Sequence, residues 1–384
     1  MEDARHWLAL ARSPGGRAAL GTLLDRLGSP AALFAAKPST LTAAGLDAES
    51  AARFSAPDWA AIDADLAWLE SSGTTLIARG AADYPPLLAL APDPPLVLFV
   101  RGRAEVLTLP SLAIVDSRNP TAPGRRDAEA FATTLGGAGF TIVSGLALGI
   151  DAAAHQGALA ADAPTVAVCA TGLDRVYPAR HRELAVRIME RGALVSEFAP
   201  GARPLRHHFP LRNRIIAGLS LGTLVVEAAA RSGSLITARL AGEAGRGVFA
   251  IPGSIHNPLA KGCHRLIRDG ATLVENAADV VAELGNIAGI MLGAPSPQSE
   301  RAADAARAAP SDADAADPER ARVFAEVDWA PTPIDHIVER SGLPMAVVSS
   351  TLLMLELQGR VAAQAGGRYV RINAPRTDPG EEQR

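Results

Sequence analysis

The chain has 384 residues, of which 48% are apolar and 20% charged, and its formal net charge at pH 7 is −4. This length predicts two or three domains with an ordinary globular composition. Lys37 and Lys261 are the only lysines, which argues against a phosphate site built on a P-loop lysine. Two cysteines without a C-x-x-C pair, and no membrane-length apolar run or signal pattern, argue against disulfides, zinc and a membrane span. We therefore expect a cytoplasmic protein without a metal or a cofactor.

Residues 1–75 predict a compact helical module. Leu20 and Leu24 share a helix face, and Leu41–Phe54 is typical of helix–turn–helix with Gly45 in the turn. The pattern is similar to small SAM or helix–hairpin–helix modules, which can hold DNA backbone through turn amides. Because no Lys or Arg cluster flanks the turn, packing is the favoured role.

A proline-rich connector (76–110) leads into a central domain predicted at 111–286. Short buried runs alternate there with helix-length segments, which predicts an α/β fold with a doubly wound parallel sheet. Ligands of such sheets bind beyond the carboxyl ends of the strands. The runs with strand character are 112–115, 141–144, 165–170, 193–196, 221–227, 247–251 and 272–274.

Loops rich in glycine, serine and threonine follow these strands. Asp116–Pro120 follows the first and Ser144–His155 the second, while Arg231–Ser234 forms a turn before a helix. A helix N-terminus attracts anions because its first amides lack partners and its dipole is positive there. Together these loops predict a groove lined for phosphate.

A basic run precedes the strand 221–227. Between Glu197 and Glu227 there is no acidic residue. Solvated surface arginines would explain the run, but it continues directly into apolar Ile215, which favours an anion-binding site at the edge of a core. Arg212 and Arg214 have an alternative role, since either could brace the fold by pairing with a glutamate. The run contains Arg203, Arg206, His207, His208, Phe209, Arg212, Asn213 and Arg214.

Two positions raise a question of metal or acid–base chemistry. Asp151 and His155 lie four residues apart on one helix face, so a metal site is conceivable, but a helix cap with a packed histidine is favoured. Glu227 at a strand end is the one isolated carboxylate suited to catalysis. Its alternative role is structural, as an acceptor of hydrogen bonds from a neighbouring loop.

The C-terminal part predicts a flexible linker (287–318), a small helical domain (319–373) and a disordered tail (374–384). Three helices followed by a hairpin are in winged-helix order. The third helix carries no Lys or Arg, so protein contact or simple packing is as plausible for this domain as insertion into a DNA groove.

The motifs SGLALGID, TGLDRVYP, FPLRNRIIAGLS, SGSLITA and AIPGS together resemble the DprA family (DNA processing protein A, also called Smf). The resemblance is continuous from Leu112 to Val281, and both flanking domains resemble those of the family. It implies a Rossmann-like central domain that binds single-stranded DNA in a basic pocket and forms a homodimer. It also implies a role in natural transformation, in which the protein protects incoming strands and loads RecA recombinase onto them, with no known enzymatic chemistry.

By position, the family's basic contacts match Arg118 and Arg206, and its backbone-contacting loop matches Gly145 and Gly149. Where the family usually has glycine before its first-loop arginine, this chain has Asp116, an anion beside a predicted phosphate site. Sequence-tolerant binding needs a positive channel with some stacking surface. The complete predicted strand-binding set is Arg118, Ser144, Gly145, Gly149, Arg180, Arg206, His208, Phe209, Arg212, Asn213, Arg214, Ser232, Gly233, Ser234 and Lys261.

Two other functions stay open at this stage. The first is a nucleotide-monophosphate hydrolase of the lysine-decarboxylase-like Rossmann group that uses Glu227, although the Pro-Gly-Gly-x-Gly-Thr-x-x-Glu signature of that group is absent. The second is a structural scaffold for a recombinase, which a direct measurement of strand binding would separate from the favoured assignment as a single-stranded DNA-binding protein. No catalytic residue is expected in the favoured assignment.

Overall fold

The protein is described here by a computed structural model that separates into two compact units, 1–308 and 309–384. Part of the predicted linker (293–317) and the predicted tail (374–384) lie outside the described residues. The described residues are 2–13, 17–54, 56–292, 318–328, 332–357, 360–364 and 367–371.

The N-terminal module consists of short helices around a shared apolar core. Leu33, Leu41 and Phe54 are buried in it. The predicted helix–turn–helix is present, with Gly45 at φ 102° in its turn, a left-handed conformation that favours glycine. The helices are α1 (Glu2–Arg12), α2 (Arg17–Leu27), α3 (Pro30–Ala35), α4 (Pro38–Ala43), α5 (Ala48–Phe54) and α6 (Trp59–Ser72).

This module packs on the central domain. Its core is continuous with Phe99 and Leu194 of the sheet. Arg12 forms an ion pair with Asp65 and donates through Nη2 to Pro200 O at 3.2 Å. Arg12 therefore ties α1 to a loop of the central domain.

The central domain is built on one nine-stranded sheet in the order β1-β2-β6-β5-β4-β3-β7-β8-β9. The seven strands from β6 to β9 in this order are parallel, and β1 and β2 extend the β6 edge in antiparallel pairing. The strands are β1 (Thr74–Ala78), β2 (Val97–Gly102), β3 (Ser111–Val115), β4 (Thr141–Ser144), β5 (Thr165–Val168), β6 (Ala193–Ser196), β7 (Gly222–Val225), β8 (Gly247–Ala250) and β9 (Thr272–Leu273).

The central strands are apolar throughout because both faces of the sheet are covered. In β3, Leu112 and Ile114 join the core on one face, while Ala113 and Val115 join the core on the other. This alternation follows from the two-residue period of a strand. The doubly wound sheet predicted from the sequence is confirmed.

Helices cover both faces. One face packs against α8, α9 and α14, and the other against α7, α11, α12 and α13. The helices of the central domain, which also include α10, are α7 (Pro86–Ala89), α8 (Ala122–Gly137), α9 (Ile150–Ala160), α10 (Arg182–Arg191), α11 (His208–Leu219), α12 (Ser234–Glu243), α13 (Lys261–Arg268) and α14 (Ala277–Leu292), with short 3-10 turns at Ala104–Thr108, Ala179–His181 and Pro258–Ala260.

The chain runs outward from β3 in two directions, through β4, β5 and β6 on one side and β7, β8 and β9 on the other. The loops after β3 and β7 therefore separate and leave a crevice beyond the carboxyl ends of these strands.

Two predicted segments contribute more structure than expected. The segment 76–110, treated above as a connector, supplies β2 and most of β1 to the sheet. The helix α14 continues to Leu292, so residues 287–292 of the predicted linker are helical.

The second unit has winged-helix elements around its own core. Val323, Ile337, Val348 and Leu352 are fully buried there. Its elements are α15 (Pro318–Ala325), β10 (Thr332–Pro333), α16 (Ile334–Ser341), α17 (Met345–Leu357), β11 (Val361–Gln364) and β12 (Arg368–Arg371), with the strands in the order β10-β12-β11.

Within the described ranges, none of the helices combines the length and the apolar character that crossing a membrane requires.

Candidate nucleic-acid interface

A groove of about 790 Å³ lies beyond the carboxyl ends of β3 and β7, at the crevice described above. The loop after β3, the start of α11 and the turn before α12 form most of its wall. Its polar lining consists of Asp116, Ser117, Arg118, Asp151, Tyr177, Arg206, Arg212, Asn213, Arg231, Ser232, Ser234 and Thr237.

Three arginines give the groove its positive charge. Arg118 follows β3, Arg206 precedes α11, and Arg231 follows β7. All three are exposed, and within the part of the chain that the structure describes none of them forms an ion pair. Arg231 is absent from the predicted binding set, although its place in the Arg-Ser-Gly-Ser turn could have identified it.

An aromatic pair stands beside these charges. Tyr177 and Phe209 meet edge to face with ring centroids 5.9 Å apart, and the guanidinium of Arg118 lies 5.0 Å from the Phe209 centroid. Tyr177 is 48% exposed, so one apolar ring faces solvent at the rim. A recess of about 70 Å³ next to the pair is lined by Gly145 and Leu148. The pair offers a stacking surface for a planar ring.

The turn Ser232-Gly233-Ser234 places small polar groups at the N-terminus of α12. Ser234 Oγ lies 2.8 Å from Ser232 Oγ and 3.3 Å from Asp116 Oδ1. Asn213 Nδ2 donates to Gly233 O at 3.4 Å, which links α11 to the turn. The first amides of α12 are hydrogen-bonded within the turn: Ser234 N donates to Ser232 Oγ at 3.4 Å, and Leu235 N and Ile236 N donate to Ser232 O and Gly233 O.

Arg212 forms part of the groove floor rather than its rim. It is 5% exposed, donates through Nη1 to Val168 O at 3.1 Å, and has Asp151 Oδ2 at 3.9 Å from Nη2. Burial lowers the pKa of this guanidinium, and the carboxylate of Asp151 opposes the shift. The backbone of Gly145 lies directly over Arg212, since a Cβ at Gly145 would be 1.4 Å from Nη1. The glycine loop therefore requires a residue without a side chain.

Arg214 does not line the groove. It forms a buried ion pair with Glu197, and its Nε lies 3.3 Å from Asp93 Oδ2. The predicted strand contact at Arg214 is thus replaced by the alternative role, a brace between α11 and the end of β6.

Other residues of the predicted set support the loops without lining the groove. Ser144 is fully buried, and its Oγ donates to Ile114 O at 2.6 Å. Gly149 has φ 86°, and a Cβ there would lie 2.4 Å from Ser117 O, so the glycine lets the loop that carries Arg118 pack against α9.

His208, Arg180 and Lys261 also lie outside the groove lining. His208 stacks on Phe198 with centroids 4.0 Å apart, and its Nδ1 is 3.1 Å from Ala170 O. Arg180 is exposed in the 3-10 turn after Pro178. Lys261 Nζ donates to Ile255 O at 2.5 Å.

Glu227 serves the fold. Its carboxylate accepts from Thr121 N at 2.8 Å and from Thr121 Oγ1 at 2.5 Å, while Thr121 caps α8 through a hydrogen bond from Gly124 N. The prediction that Glu227 accepts hydrogen bonds from a neighbouring loop is confirmed.

His155 has the favoured packing role, whereas Asp151 lies in the first turn of α9 and bonds back to the preceding loop; α9 has no side-chain cap hydrogen bond, so the predicted cap is not formed. Asp151 Oδ2 accepts from Ala147 N at 3.1 Å, and His155 Nδ1 lies 2.7 Å from Thr165 Oγ1. Burial lowers the pKa of His155 to about 3, so the ring is neutral. Across the described ranges, no group of three or more His, Cys, Asp or Glu side chains is placed to hold a metal ion.

Comparison with known families gives two matches. The family described as "DNA recombination-mediator protein A" matches residues 75–285, and the "DprA winged helix domain" matches residues 295–367.

Individual relatives agree with these matches. The chain is 43% identical to "Protein Smf" of Escherichia coli over 329 residues, which is 85% of each chain. It is 48% identical to "DNA processing protein DprA" of Streptococcus pneumoniae over 200 residues, or 52% of this chain and 71% of the relative.

Solved structures agree as well. The X-ray structure of DprA from Streptococcus pneumoniae superposes with a TM-score of 0.65 at 37% identity and covers 72% of this chain and 95% of that one. A DprA structure from Helicobacter pylori, whose subject is its single-stranded DNA binding mode, has a TM-score of 0.50 at 28% identity over 55% and 95% of the two chains. The match over more than half of the chain, carried by the motifs that line the groove, shows that this protein belongs to the DprA (Smf) family of DNA-processing, recombination-mediator proteins.

Proposed function

We propose that the protein binds single-stranded DNA in the groove beyond β3 and β7. The observation that carries this proposal is the convergence of Arg118, Arg206 and Arg231, without acidic partners, on a wall of small hydroxyl and glycine residues. Such a wall lets a phosphate backbone approach closely, and the arginines donate charge-assisted hydrogen bonds to it. The Helicobacter pylori relative, which binds single strands, supports the same assignment.

The groove favours single strands over duplex. Phe209 and Tyr177 can stack only on bases that are unpaired and turned outward, and stacking is tolerant of sequence. No helix with a basic face is presented in the described part of the groove, so major-groove reading has no support. Phosphate contacts supply most of the affinity, and the aromatic pair supplies the preference for single strands.

The biological role that we propose is that of the family: protection of incoming strands during natural transformation and loading of RecA recombinase onto them. Membership in a family described as recombination mediators supports this role. We also propose a homodimer formed through the Rossmann-like domain and an intracellular site of action. Light scattering of the purified chain tests the dimer, and RecA filament formation on strands pre-bound by this protein tests the loading.

We further propose that the protein catalyses no reaction on nucleotides. Glu227, the carboxylate on which the alternative hydrolase assignment depends, has both oxygens bonded to Thr121 and does not line the groove. Neither a P-loop lysine nor a metal cluster is found in the described groove.

Fluorescence anisotropy with a labelled oligothymidine and a blunt duplex of equal length tests the binding. We expect tighter binding of the single strand and a log–log salt slope of about −0.7 for each phosphate contact. Replacing Arg118 by Ala should cost about 1.5–3 kcal/mol of binding free energy, and Arg118→Ala/Arg206→Ala should reduce the magnitude of the slope by about 1.4.

Arg239→Ala is the matched control, because Arg239 is exposed on α12 and lies 3.7 Å from Glu243 in a pair one helical turn apart. It should bind like the wild type. Equal affinity for duplex, or a wild-type salt slope in a folded Arg118→Ala/Arg206→Ala variant, would place the DNA elsewhere on the molecule.

A further inference from the structure

A carboxyl group stands in the wall of the proposed strand-binding groove. Asp116 follows β3 directly and precedes Arg118 by two residues. Its Oδ1 lies 3.3 Å from Ser234 Oγ, at the N-terminus of α12. Its Oδ2 is buried and has no hydrogen-bond partner among the described residues. The groove proposed for phosphate thus contains a carboxyl group that would repel the phosphate when it is ionised.

The charges around Asp116 are mixed. Carboxylates on α9 and at the end of β7 and the thiol on α13 interact electrostatically with Asp116, and the groove arginines line the same cavity as Asp116. The groups are Asp151, Glu227, Cys263, Arg118, Arg206, Arg212 and Arg231.

Asp116 gains no compensating ion pair from these arginines within the described residues. Burial and, to a smaller extent, the negative charge of Glu227 together raise the pKa of Asp116 to about 8, against the opposing effect of the hydrogen bond from Ser234. At neutral pH the side chain is therefore mostly the uncharged acid, which has one O–H to donate.

We propose that the strand binds the form of the protein in which Asp116 is the neutral acid, because an ionised carboxylate in the groove wall would repel the phosphates, so that DNA binding takes up a proton from solution. The proton balance is one proton added to the carboxylate of Asp116 for each strand bound, with no other reactant. This proposal rests on the proposed function, since it needs a strand in the groove. Asp116 then sets the pH range in which the groove binds a strand, while the arginines set the affinity.

The direction of the pH dependence follows from linkage. If the complex forms only with the protonated group, affinity is constant below the pKa of the free protein and falls as pH rises through it, by up to about tenfold per pH unit. No histidine is among the described residues that line the groove, and the pKa of each buried cysteine is raised to about 12. Asp116 is therefore the groove residue expected to titrate between pH 7.5 and 9.

The test measures the affinity of the full chain for a labelled oligothymidine between pH 6.5 and 9.5, at constant ionic strength and in EDTA so that no divalent cation bridges carboxylate and phosphate. The affinity of the wild type for the oligothymidine should fall by about tenfold or less for each pH unit above 8. Asp116→Asn, which keeps a donor but cannot ionise, should show a flat profile and bind more tightly than the wild type at pH 9. Asp127→Asn removes a carboxyl group from α8 outside the groove lining and should keep the wild-type slope.

A measurement on the wild type alone makes the test independent of how a variant folds. Isothermal titration at pH 8.5 in two buffers of different ionisation enthalpy should show uptake of up to one proton per bound site, and Asp116→Asn should abolish it. Strand binding without proton uptake, or equal pH profiles for the wild type and Asp116→Asn, overturns this proposal and leaves the proposed function intact. Absence of strand binding at every pH overturns both.

Discussion

Gly145 and Arg212 are packed so closely that a single added carbon would collide with the guanidinium, at 1.4 Å from Nη1. Arg212 is in turn buried and bonded to Val168 O, so it cannot move aside without losing that bond. The glycine loop and the groove floor therefore hold each other in place.

Gly145→Ala should consequently displace Arg212 and lower the free energy of unfolding by roughly 1–3 kcal/mol, the usual cost of overpacking a core, and it should weaken strand binding as well. Thermal unfolding and anisotropy provide the two measurements. Gly233→Ala is the control, because a Cβ at Gly233 meets nothing within 4 Å and its φ is −65°. Similar stability losses in both variants would contradict the proposed dependence of Arg212 on Gly145.

A variant of Arg214 distinguishes a role in stabilising the fold from a role in binding the strand. Arg214→Met removes the cation that is paired with the buried carboxylate of Glu197, and breaking a buried ion pair typically costs about 3–5 kcal/mol of stability. Because Arg214 does not line the groove, the salt slope of strand binding should stay that of the wild type in conditions where the variant is folded. A reduced slope with unchanged stability would mean that Arg214 contacts phosphate after all.

Glu227→Gln tests the absence of chemistry. The amide keeps one acceptor but loses the other, so Thr121 and the cap of α8 should be weakened by about 1–2 kcal/mol, similar to loss of a helix cap. Thr121→Ala should be destabilised to a comparable degree because it removes the hydroxyl that donates to Glu227 and accepts from Gly124 N, although its backbone N–H still donates to Glu227. Purified wild type should release no phosphate or base from nucleoside monophosphates, and product that disappears only in Glu227→Gln would revive the hydrolase assignment.

The stability of the protein without DNA should also depend on Asp116. The folded group has a pKa of about 8, above its ordinary value of 3.8. Its contribution to stability is therefore fully present below pH 4 and is lost as pH rises to 8. The difference in unfolding free energy between Asp116→Asn and the wild type should grow over this range and level off above it. Denaturant unfolding at pH 5, 7 and 9 measures the difference, and a constant value would show that Asp116 has an ordinary pKa.

Removal of the winged-helix domain should leave the groove functional. The chain 1–292 contains the whole described part of the first unit, including α14 and its buried contacts Val280 and Leu284. We expect this fragment to be folded and to bind oligothymidine with the salt slope of the full chain. Loss of binding by a folded fragment would assign the winged helix a direct share of the strand contact, despite the absence of Lys and Arg from α17.

Strand positions in the central domain were predictable because buried parallel strands are continuous apolar runs. The run 112–115, for example, agrees with β3 to within one residue. The antiparallel edge was harder to foresee. In β1 Thr74 and Ile77 are the buried residues and two threonines open the strand, so Thr74–Ala78 lacks the signal of a strand buried on both faces.

The site was predictable at the level of loops rather than of side chains. Sequence places Arg206, Arg212 and Arg214 in one basic run, but the structure gives them different surroundings. Arg206 is exposed at the rim before α11, while on α11 Arg212 is buried in the floor and Arg214 pairs with Glu197. The partners that decide these roles, Asp151 and Glu197, come from distant parts of the chain. No local sequence pattern in the basic run indicates these partners.

The pairing of Arg214 with Glu197 also limits how firmly the proposed groove can hold a strand. A guanidinium that is already paired with a carboxylate does not neutralise a phosphate and so does not release the counter-ions of the strand. Among the described residues that line the groove, we expect Arg118, Arg206 and Arg231 to contribute to the salt dependence, and together they give a slope of about −2. Contacts of this kind are weakened readily by competing ions or by another positively charged protein. The groove is therefore suited to keeping a strand for a short time and releasing it to the next protein that binds it.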